Sequence, residues 1–391
     1  MASKLDKIIY KTLFKNLFLD TCKVRFWDGE ETKYGEGESK FTIVLNEPVP
    51  DVFRSPSIAF GEAYMNRKIE IEGNIRELIE SMQNNKESFL RSPEKYGNLI
   101  KSLKNTKGRS KKNVSFHYDI GNDFYKLWLD KSMTYSCAYF KSEEDTLEQA
   151  QKNKVGYILK KLNLEEGKTL LDIGCGWGQL IIAAAKEYKV KALGITLSTE
   201  QKAMAEERIK AEGLDDYVKV EICDYRQLKN AEFDRIVSVG MLEHVGKENL
   251  NDFFSTVDRL MKNGGISLVH SITGVKDGGN DPWIDKYIFP GGYIPSISEI
   301  VANIGEKEFH LLDIESLRGH YGKTLEKWAD NFERSMPQIR EMKDEAFIRM
   351  WRLYLNSCAA SFNTGAIDVH QFLFSKGLAD GMPSTREYLY R

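Results

Sequence analysis

The sequence of 391 residues lacks the features that mark several large classes of protein. Its five cysteines are scattered, odd in number and never spaced C-x-x-C, which argues against a disulfide framework and a zinc site and predicts reduced thiols in a cytoplasm. The six histidines show no H-x-x-x-H spacing, so we predict no bound metal. No apolar run approaches the ~18 residues of a membrane span. A formal charge of −2 gives no global attraction to nucleic acid, which we do not expect as a partner.

The chain is organised around residues 168–178, KTLLDIGCGWG. An apolar strand reaches Asp172 and then runs into Gly174, Gly176 and Gly178. A dinucleotide site needs G-x-G-x-x-G, and Gln179 stands where its third glycine belongs. The spacing G-x-G-x-G instead favours S-adenosylmethionine, which has no pyrophosphate and whose methionine half can lie over the turn. The alternative is a tight strand-to-helix turn that binds no ligand.

From residue 114 onward the pattern alternates between strand and helix, which predicts an α/β fold with a mostly parallel sheet and helices on both faces. Ligands of such sheets collect at the carboxyl ends of the strands. The predicted strands are 169–173, 190–196, 217–223, 233–240 and 266–272. The predicted helices are 146–161, 177–187, a helix capped by Ser198, and 247–262.

Residues 1–100 have a different pattern, which predicts a smaller N-terminal α+β domain. The first 20 residues have the pattern of a basic amphipathic helix, which would lie on an anionic bilayer or pack on its own domain. Short strands are predicted within 24–28, 41–45 and 68–73, and helices at 57–65 and 74–103. Residues 101–113 are basic and polar, which predicts a linker that touches lipid head groups or is simply solvated.

Polar side chains follow each predicted strand of the larger domain. Thr196 and Gln201 offer hydroxyl and amide groups for a ribose, and Tyr225 offers a face for adenine. Glu243 and His270 come from the ends of neighbouring strands. Singly, Glu243 is explained as a helix N-terminal acid and His270 as a core histidine. Together, at one edge of one sheet, they favour a functional site.

A set of motifs in this order resembles the cyclopropane-fatty-acyl-phospholipid synthases over about residues 115–378. The mycolic acid cyclopropane synthases share the catalytic half but lack a domain like residues 1–100, so the extra domain favours the phospholipid enzymes. The motifs are HYDIGNDFYKLWLD (117–130), YSCAYF (135–140), LDIGCGWG (171–178), GITLSTEQ (194–201), MLEHVG (241–246), HSI (270–272), YIFPGGYIPS (287–296) and GHYGKTLEKW (319–328).

The resemblance implies a Rossmann-like class I methyltransferase fold for residues 114–391, with 1–100 as a lipid-binding domain. It implies roles for particular residues. Those expected around S-adenosylmethionine are Tyr135, Ser136, Asp172, Gly174, Gly176, Thr196, Leu197, Gln201 and Tyr225. Those expected around a bicarbonate ion are Cys137, Glu243, His270, the Ile272 backbone and Tyr321. Cys358 matches a cysteine suspected of catalysis, although no base adjoins it in sequence and a place in a cavity wall is the simpler interpretation.

The implied reaction transfers a methylene group from S-adenosylmethionine to the cis double bond of unsaturated acyl chains in phospholipids. Methyl transfer gives a carbocation, which Tyr287, Phe289 and Tyr293 could face, and bicarbonate would then remove a proton. The enzyme would be cytoplasmic, bound peripherally to the inner face of the membrane, and possibly a homodimer. The alternatives are a methyltransferase for another lipid or small molecule, and a lipid-binding protein without catalysis.

Overall fold

The computed structural model describes residues 4–15, 17–49, 55–85, 121–229, 231–276, 280–379 and 381–390. The predicted linker at 101–113 and the helical prediction beyond residue 85 lie outside these residues. The helices are α1 (Lys4–Lys15), α2 (Pro56–Met65), α3 (Ile75–Asn84), α4 (Asn122–Lys126), α5 (Leu147–Lys161), α6 (Gln179–Tyr188), α7 (Thr199–Ala211), α8 (Leu250–Leu260), α9 (Pro282–Tyr287), α10 (Ile297–Glu306), α11 (Arg318–Arg334), α12 (Met336–Met342) and α13 (Glu345–Asn363). The strands are β1 (Cys22–Arg25), β2 (Glu31–Tyr34), β3 (Phe41–Leu45), β4 (Ile69–Glu72), β5 (Thr169–Ile173), β6 (Lys191–Thr196), β7 (Val218–Ile222), β8 (Phe233–Val239), β9 (Met261–Gly274), β10 (Phe309–Ser316) and β11 (Ile367–Lys376).

Two compact units make up the chain. The first contains the described residues of Met1–Lys111 together with Asp281–Pro290 and Leu325–Ala366. The second contains those of Lys112–Asn280, Gly291–Thr324 and Ile367–Arg391. The sequence-based boundary keeps all of 114–391 together, whereas these contacts group two of its segments with the N-terminal residues.

The first unit contains a sheet with strand order β2-β1-β3-β4. Strands β3 and β4 match the predicted ones, and α2 covers the predicted helix at 57–65. Strand β1 overlaps the predicted strand at 24–28 only at residues 24 and 25. Strand β2 was not predicted, because its residues ETKY carry no apolar alternation. It lies at the sheet edge and pairs only with β1 among the described strands, so it needs no apolar face.

Helix α1 packs on its own domain. Tyr10 and Phe14 are buried, and the Tyr10 hydroxyl donates to the Val49 carbonyl oxygen at 2.6 Å. Lys7 is ion-paired with Asp28, with its Nζ 2.5 Å from Oδ2. Of the two interpretations of this helix, the structure therefore shows the one in which its apolar face is covered by protein.

Helix α13 belongs to the first unit because Arg349 is bonded to that unit's backbone. Its guanidinium donates to the Tyr64 carbonyl oxygen at 2.5 Å and to that of Ile69 at 3.0 Å, and pairs with Glu70 at 2.8 Å. It also lies over the Tyr64 ring, 3.9 Å from the centroid. A buried arginine needs this many partners, and residues near the N-terminus supply them.

The second unit contains a sheet with strand order β10-β11-β9-β8-β5-β6-β7. Strands β5 to β9 run parallel, as predicted, and β11 runs antiparallel to both β9 and β10. Helices α5, α6 and α7 cover one face and α8 and α10 the other. The structure thus confirms the predicted α/β class, and within the described residues no helix is long and apolar enough to cross a membrane.

Candidate active site

The glycine turn after β5 adopts backbone conformations that favour glycine. Gly174 has φ +88° and Gly176 has φ +54°. A Cβ on Gly174 would lie 2.9 Å from Met241 Cγ, whereas one on Gly176 would have no heavy atom within 4 Å beyond its chain neighbours. The amide of Gly174 donates to the Ile195 carbonyl oxygen at 3.0 Å, which ties the turn to β6. The side of the turn at Gly176 is therefore the one that a ligand can approach.

The end of β6 carries the pair predicted for the ribose. Thr196 Oγ1 donates to Gln201 Oε1 at 2.7 Å, and both residues are buried. The Ser198 hydroxyl accepts from the Gln201 amide at 3.2 Å, which confirms the predicted cap of α7. Leu197 between them is 59% exposed. Since the Gln201 side-chain oxygen is engaged by Thr196, its NH₂ group is left to donate to a ribose.

Tyr225 follows β7 and is half-buried. Its ring meets Phe253 edge-on, with centroids 5.5 Å apart. The neighbouring Asp224 accepts from the Arg226 guanidinium at 2.6 and 2.9 Å, and this bond lowers the pKa of the Asp224 carboxyl. Tyr225 is thus held from one side, while Asp224 is already paired.

Ser136 and Asp172 interact with a buried lysine, Lys154, that sequence reasoning missed. Tyr135 packs against Trp128, with centroids 5.4 Å apart, and Ser136 Oγ accepts from Lys154 Nζ at 3.1 Å. Burial lowers the pKa of Lys154 to about 8 and raises that of Asp172 to about 7, where the charge of Lys154 opposes the rise. Asp172 Oδ1 is buried without a hydrogen-bond partner among the described residues. A buried cation thus lies beside the turn.

Glu243, His270 and Ile272 meet at the ends of β8 and β9. The Ile272 amide donates to Glu243 Oε1 at 2.7 Å. Glu243 Oε2 and His270 Nε2 are buried and have no hydrogen-bond partner within the described part of the chain. The Ser271 hydroxyl donates to the Ile272 carbonyl oxygen at 3.1 Å. His270 Nδ1 lies 3.2 Å from Gln371 Nε2 on β11. One carboxyl oxygen and one ring nitrogen are therefore buried without a hydrogen-bond partner among the described residues.

Cys137 and Tyr321 join this cluster through backbone contacts. Cys137 Sγ lies 3.9 Å from the Leu317 carbonyl oxygen, which also accepts from the Tyr321 amide at 3.1 Å. The Leu317 amide donates to the Val369 carbonyl oxygen at 2.9 Å, and Val369 lies opposite Ile272 across β9 and β11. The structure thus brings Glu243, His270 and Ile272 together and connects Cys137 and Tyr321 to the neighbouring strands through Leu317. The convergence of all five on one bicarbonate ion stays a prediction, and the Ile272 amide is already bonded to Glu243.

Burial dominates the protonation of this cluster. It raises the pKa of Glu243 to about 7 and that of the Cys137 thiol well above its usual range. It lowers the pKa of His270 to about 3, and the charges of Lys154 and Lys161 act in the same direction. At neutral pH His270 is therefore uncharged, Cys137 is a thiol, and Glu243 can exchange a proton.

Cys358 lies in α13, in the first unit. Burial raises the pKa of its thiol to about 12, and the charge of Asp281 adds to this. Such a thiol is a poor nucleophile, so its catalytic role stays a prediction that this electrostatic environment does not favour.

Of the aromatic residues predicted to face the carbocation, Tyr287 belongs to the first unit and Tyr293 to the second. The Tyr287 hydroxyl donates to Glu62 at 2.7 Å, and that of Tyr293 donates to Glu299 at 2.7 Å.

Lys154 and Gln371 are the polar residues near the cluster that sequence reasoning missed. Lys154 falls on the buried face of α5, four residues before Ile158. A lysine at an apolar helix position is a detectable signal, because such a residue must have a partner or a task. Gln371 stands within the buried strand IDVHQFLFSK and offers the same kind of signal.

The comparisons with known proteins identify the family of this chain. The family model described as mycolic acid cyclopropane synthetase matches residues 105–372, and a domain of unknown function matches residues 9–94. A probable fatty acid methyltransferase of Pseudomonas putida is 41% identical over 94% of this chain and 96% of its own. Cyclopropane-fatty-acyl-phospholipid synthase of Escherichia coli K12 is 46% identical over 69% of each chain.

Solved structures give the same assignment. A mycolic acid cyclopropane synthase complexed with SAH and CTAB has a TM-score of 0.64 at 36% identity, covering 68% of this chain and 97% of its own. Coclaurine N-methyltransferase bound to N-methylheliamine and SAH has a TM-score of 0.65 at 20% identity, over 82% of this chain and all of its own, and shows the fold alone. The fold and site define a class I S-adenosylmethionine-dependent methyltransferase. The chain belongs to the mycolic acid cyclopropane synthetase family, whose enzymes transfer a methylene group from S-adenosylmethionine to lipids.

We expect Gly176→Ala to weaken S-adenosylhomocysteine binding at least tenfold, because the new Cβ would project from the open side of the turn. Gly213→Ala is the matched control. Gly213 has φ +67° and an equally open Cβ direction, but it follows α7 away from the turn. Both variants should lose a similar amount of stability, about 1 kcal/mol for a left-handed alanine. Isothermal titration calorimetry checks the affinities, and equal affinities in the two variants would contradict the placement of the ligand.

We expect Glu243→Gln to make the protein more stable at pH 8. Burial raises the pKa of Glu243 from 4.5 to about 7, so the folded state binds this proton more tightly than the unfolded state. The free energy of unfolding of the wild type therefore falls as pH rises from about 4.5 to about 7 and then levels off. The variant has no carboxyl group at this position and does not lose this stability. The gain should be on the order of 2 kcal/mol at pH 8 and small at pH 4. Urea unfolding at both pH values measures it; a gain independent of pH would refute the charged carboxylate as its cause.

Proposed function

We propose that this protein converts the cis double bonds of unsaturated acyl chains in membrane phospholipids into cyclopropane rings. This proposal is based on two buried atoms, Glu243 Oε2 and His270 Nε2, which lie at the ends of neighbouring strands and have no hydrogen-bond partner among the described residues. A plain methyl transfer to an amine or hydroxyl needs no buried anion site. Ring closure does, because a proton must leave the transferred methyl group inside a dry pocket.

The reaction begins when the alkene attacks the sulfonium methyl, forming a carbon–carbon bond and releasing S-adenosylhomocysteine. This leaves a carbocation, which closes to a ring once the new methyl group loses a proton. Bicarbonate, when bound, supplies the base for that proton. The residues fit it: Glu243 offers an acceptor for a hydroxyl proton, and the half-buried Tyr321 and the neutral His270 offer donors.

The charge balance around the cluster supports an anion there. Burial raises the pKa of Glu243 to about 7, so both its protonated form and its ionised form, which accepts the hydroxyl proton of bicarbonate, are accessible at neutral pH. Lys154 is a buried cation whose charge lowers the pKa of His270; Lys161 does so as well, but it is paired with Glu315. A site with one buried cation and one titratable acid can accept a single negative charge, whereas two fixed carboxylates could not.

A second outcome has its own support, since the Pseudomonas putida relative is named as a probable fatty acid methyltransferase. If the carbocation lost a proton from a neighbouring chain carbon instead of the new methyl group, the product would be a methyl-branched alkene. Both products are heavier than the substrate by one CH₂, but only the cyclopropane has lost the double bond. The position of the base relative to the new methyl group decides between them.

Expression in a host that lacks cyclopropane lipids should yield cyclopropane fatty acids, detected by gas chromatography of methyl esters before and after hydrogenation.

In a degassed assay, added bicarbonate should raise the rate of the wild type. Tyr321→Phe should need more bicarbonate, because it removes one donor, and Glu243→Gln should lose at least a hundredfold in rate while still binding S-adenosylhomocysteine. A product that keeps its double bond would favour the methyltransferase. A wild-type rate that ignores bicarbonate would remove this ion as the base.

We also propose that the first unit brings the enzyme to the bilayer as a peripheral protein. Its exposed apolar side chains include Ile8 at 60% and Leu19 at 66% exposure. Lys7 is paired with acids of its own domain, and the apolar face of α1 packs on that domain. Contact through the exposed side chains of Ile8 and Leu19 is therefore the better-supported mode.

The double variant Ile8→Glu with Leu19→Glu should lose binding to anionic phospholipid vesicles and activity on them, since two charges would enter the interface. S-adenosylhomocysteine affinity should be unchanged. Leu378→Glu is the control, because Leu378 is 71% exposed and lies in the second unit. Co-sedimentation measures the binding, and a double variant that sediments like the wild type would show that the bilayer surface lies elsewhere.

A further inference from the structure

The contact between Gln371 and His270 has no role in the reaction as described so far. The two residues lie directly opposite each other on β11 and β9. Both are buried, with 1% and 2% of their surface exposed. Gln371 Nε2 lies 3.2 Å from His270 Nδ1, and His270 Nε2 has no partner among the described residues. Nothing in a sheet ladder requires a polar pair at this register.

The chemistry of the two nitrogens decides where the imidazole proton sits. In this arrangement the NH₂ group of Gln371 faces His270 Nδ1, and because an amide NH₂ group only donates hydrogen bonds, Nδ1 accepts with a lone pair. The side-chain oxygen of Gln371 is buried without a partner among the described residues. A neutral imidazole has one proton, which must then be on Nε2. His270 remains neutral because it is buried and because the charges that reach it are cationic. The ring is thereby committed to one tautomer.

We propose that Gln371 is a positioning residue that fixes His270 in the Nε2–H tautomer, so that the imidazole donates a hydrogen bond to the oxyanion held beside Glu243. The oxyanion rests on the proposed function, whereas the tautomer does not. In the opposite tautomer, His270 Nε2 would point a lone pair at an anion and repel it. An apolar neighbour at position 371 would leave the two tautomers free to interconvert.

The cross-strand geometry explains why the glutamine can hold this orientation. Residues directly opposite on antiparallel strands have their side chains on the same face and within contact distance. Backbone pairs flank the two residues, since Val369 lies opposite Ile272 and Phe372 lies opposite Val269. The same β9 segment carries His270 and the Ile272 amide that fixes Glu243. One strand pair therefore sets the direction of both groups.

The test measures the tautomer directly. Nitrogen-15 NMR of the full chain with labelled histidine distinguishes a protonated from a bare ring nitrogen, and His270→Asn assigns the signal. In the wild type we expect Nε2 protonated and Nδ1 bare. In Gln371→Met the shifts should move toward the average of the two tautomers. The half-saturating bicarbonate concentration should rise about tenfold, the effect of one hydrogen bond to a charged group, with unchanged S-adenosylhomocysteine affinity.

Ser375→Ala is the control for damage to β11, because the buried Ser375 hydroxyl bonds the Gly377 carbonyl oxygen at 2.8 Å. It should leave both the tautomer and the bicarbonate dependence unchanged. A wild-type His270 with its proton on Nδ1 overturns the proposal, and so does a Gln371→Met protein with unaltered shifts. If Gln371→Met fails to fold, the wild-type spectrum alone still decides. A wild type with the expected tautomer but no response to bicarbonate would remove the oxyanion and leave the tautomer assignment intact.

Discussion

The hydrogen bond from the Ile272 amide to Glu243 is the contact on which the arrangement of this site depends. It joins the turn after β8 to the end of β9, across 29 residues of sequence. A buried carboxyl is costly, and one strong bond to a backbone donor offsets part of that cost while fixing the direction of the other oxygen. Because the donor belongs to a strand, the sheet fixes the position of Glu243 Oε1. His270 lies two residues earlier on the same strand.

Burial shifts pKa values in opposite directions at this edge of the sheet. It lowers the pKa of His270, which keeps the ring neutral so that a fixed tautomer can act as a donor, and it raises the pKa of Glu243 to near neutrality. Beside the glycine turn, burial likewise lowers the pKa of Lys154 and raises that of Asp172. Groups whose charge depends on what is bound next to them are suited to a reaction that makes and then discharges a cation. A more open pocket would screen these interactions and would also let water trap the carbocation.

Local patterns predicted the elements well, because each is a short-range property. The strand at 169–173, the Ser198 cap and the glycine turn depend on neighbouring residues and were found from sequence. The partners of a strand are not local. Nothing in IDVHQFLFSK indicates that β11 enters between β9 and β10, and that entry is what brings Gln371 to His270. Similarly, Lys154 could be seen as a buried lysine, but its contact with Ser136 depends on how α5 packs.

The grouping of the chain into compact units also depends on contacts between residues that are distant in sequence. The family match at 105–372 includes residues 325–366, yet those residues pack with the N-terminal ones. Here Arg349 needs the carbonyl oxygens of Tyr64 and Ile69. A chain cut near residue 113 would leave that guanidinium buried without them. The N-terminal residues are therefore part of the structure that supports α13, and point substitutions separate their functions more cleanly than truncation.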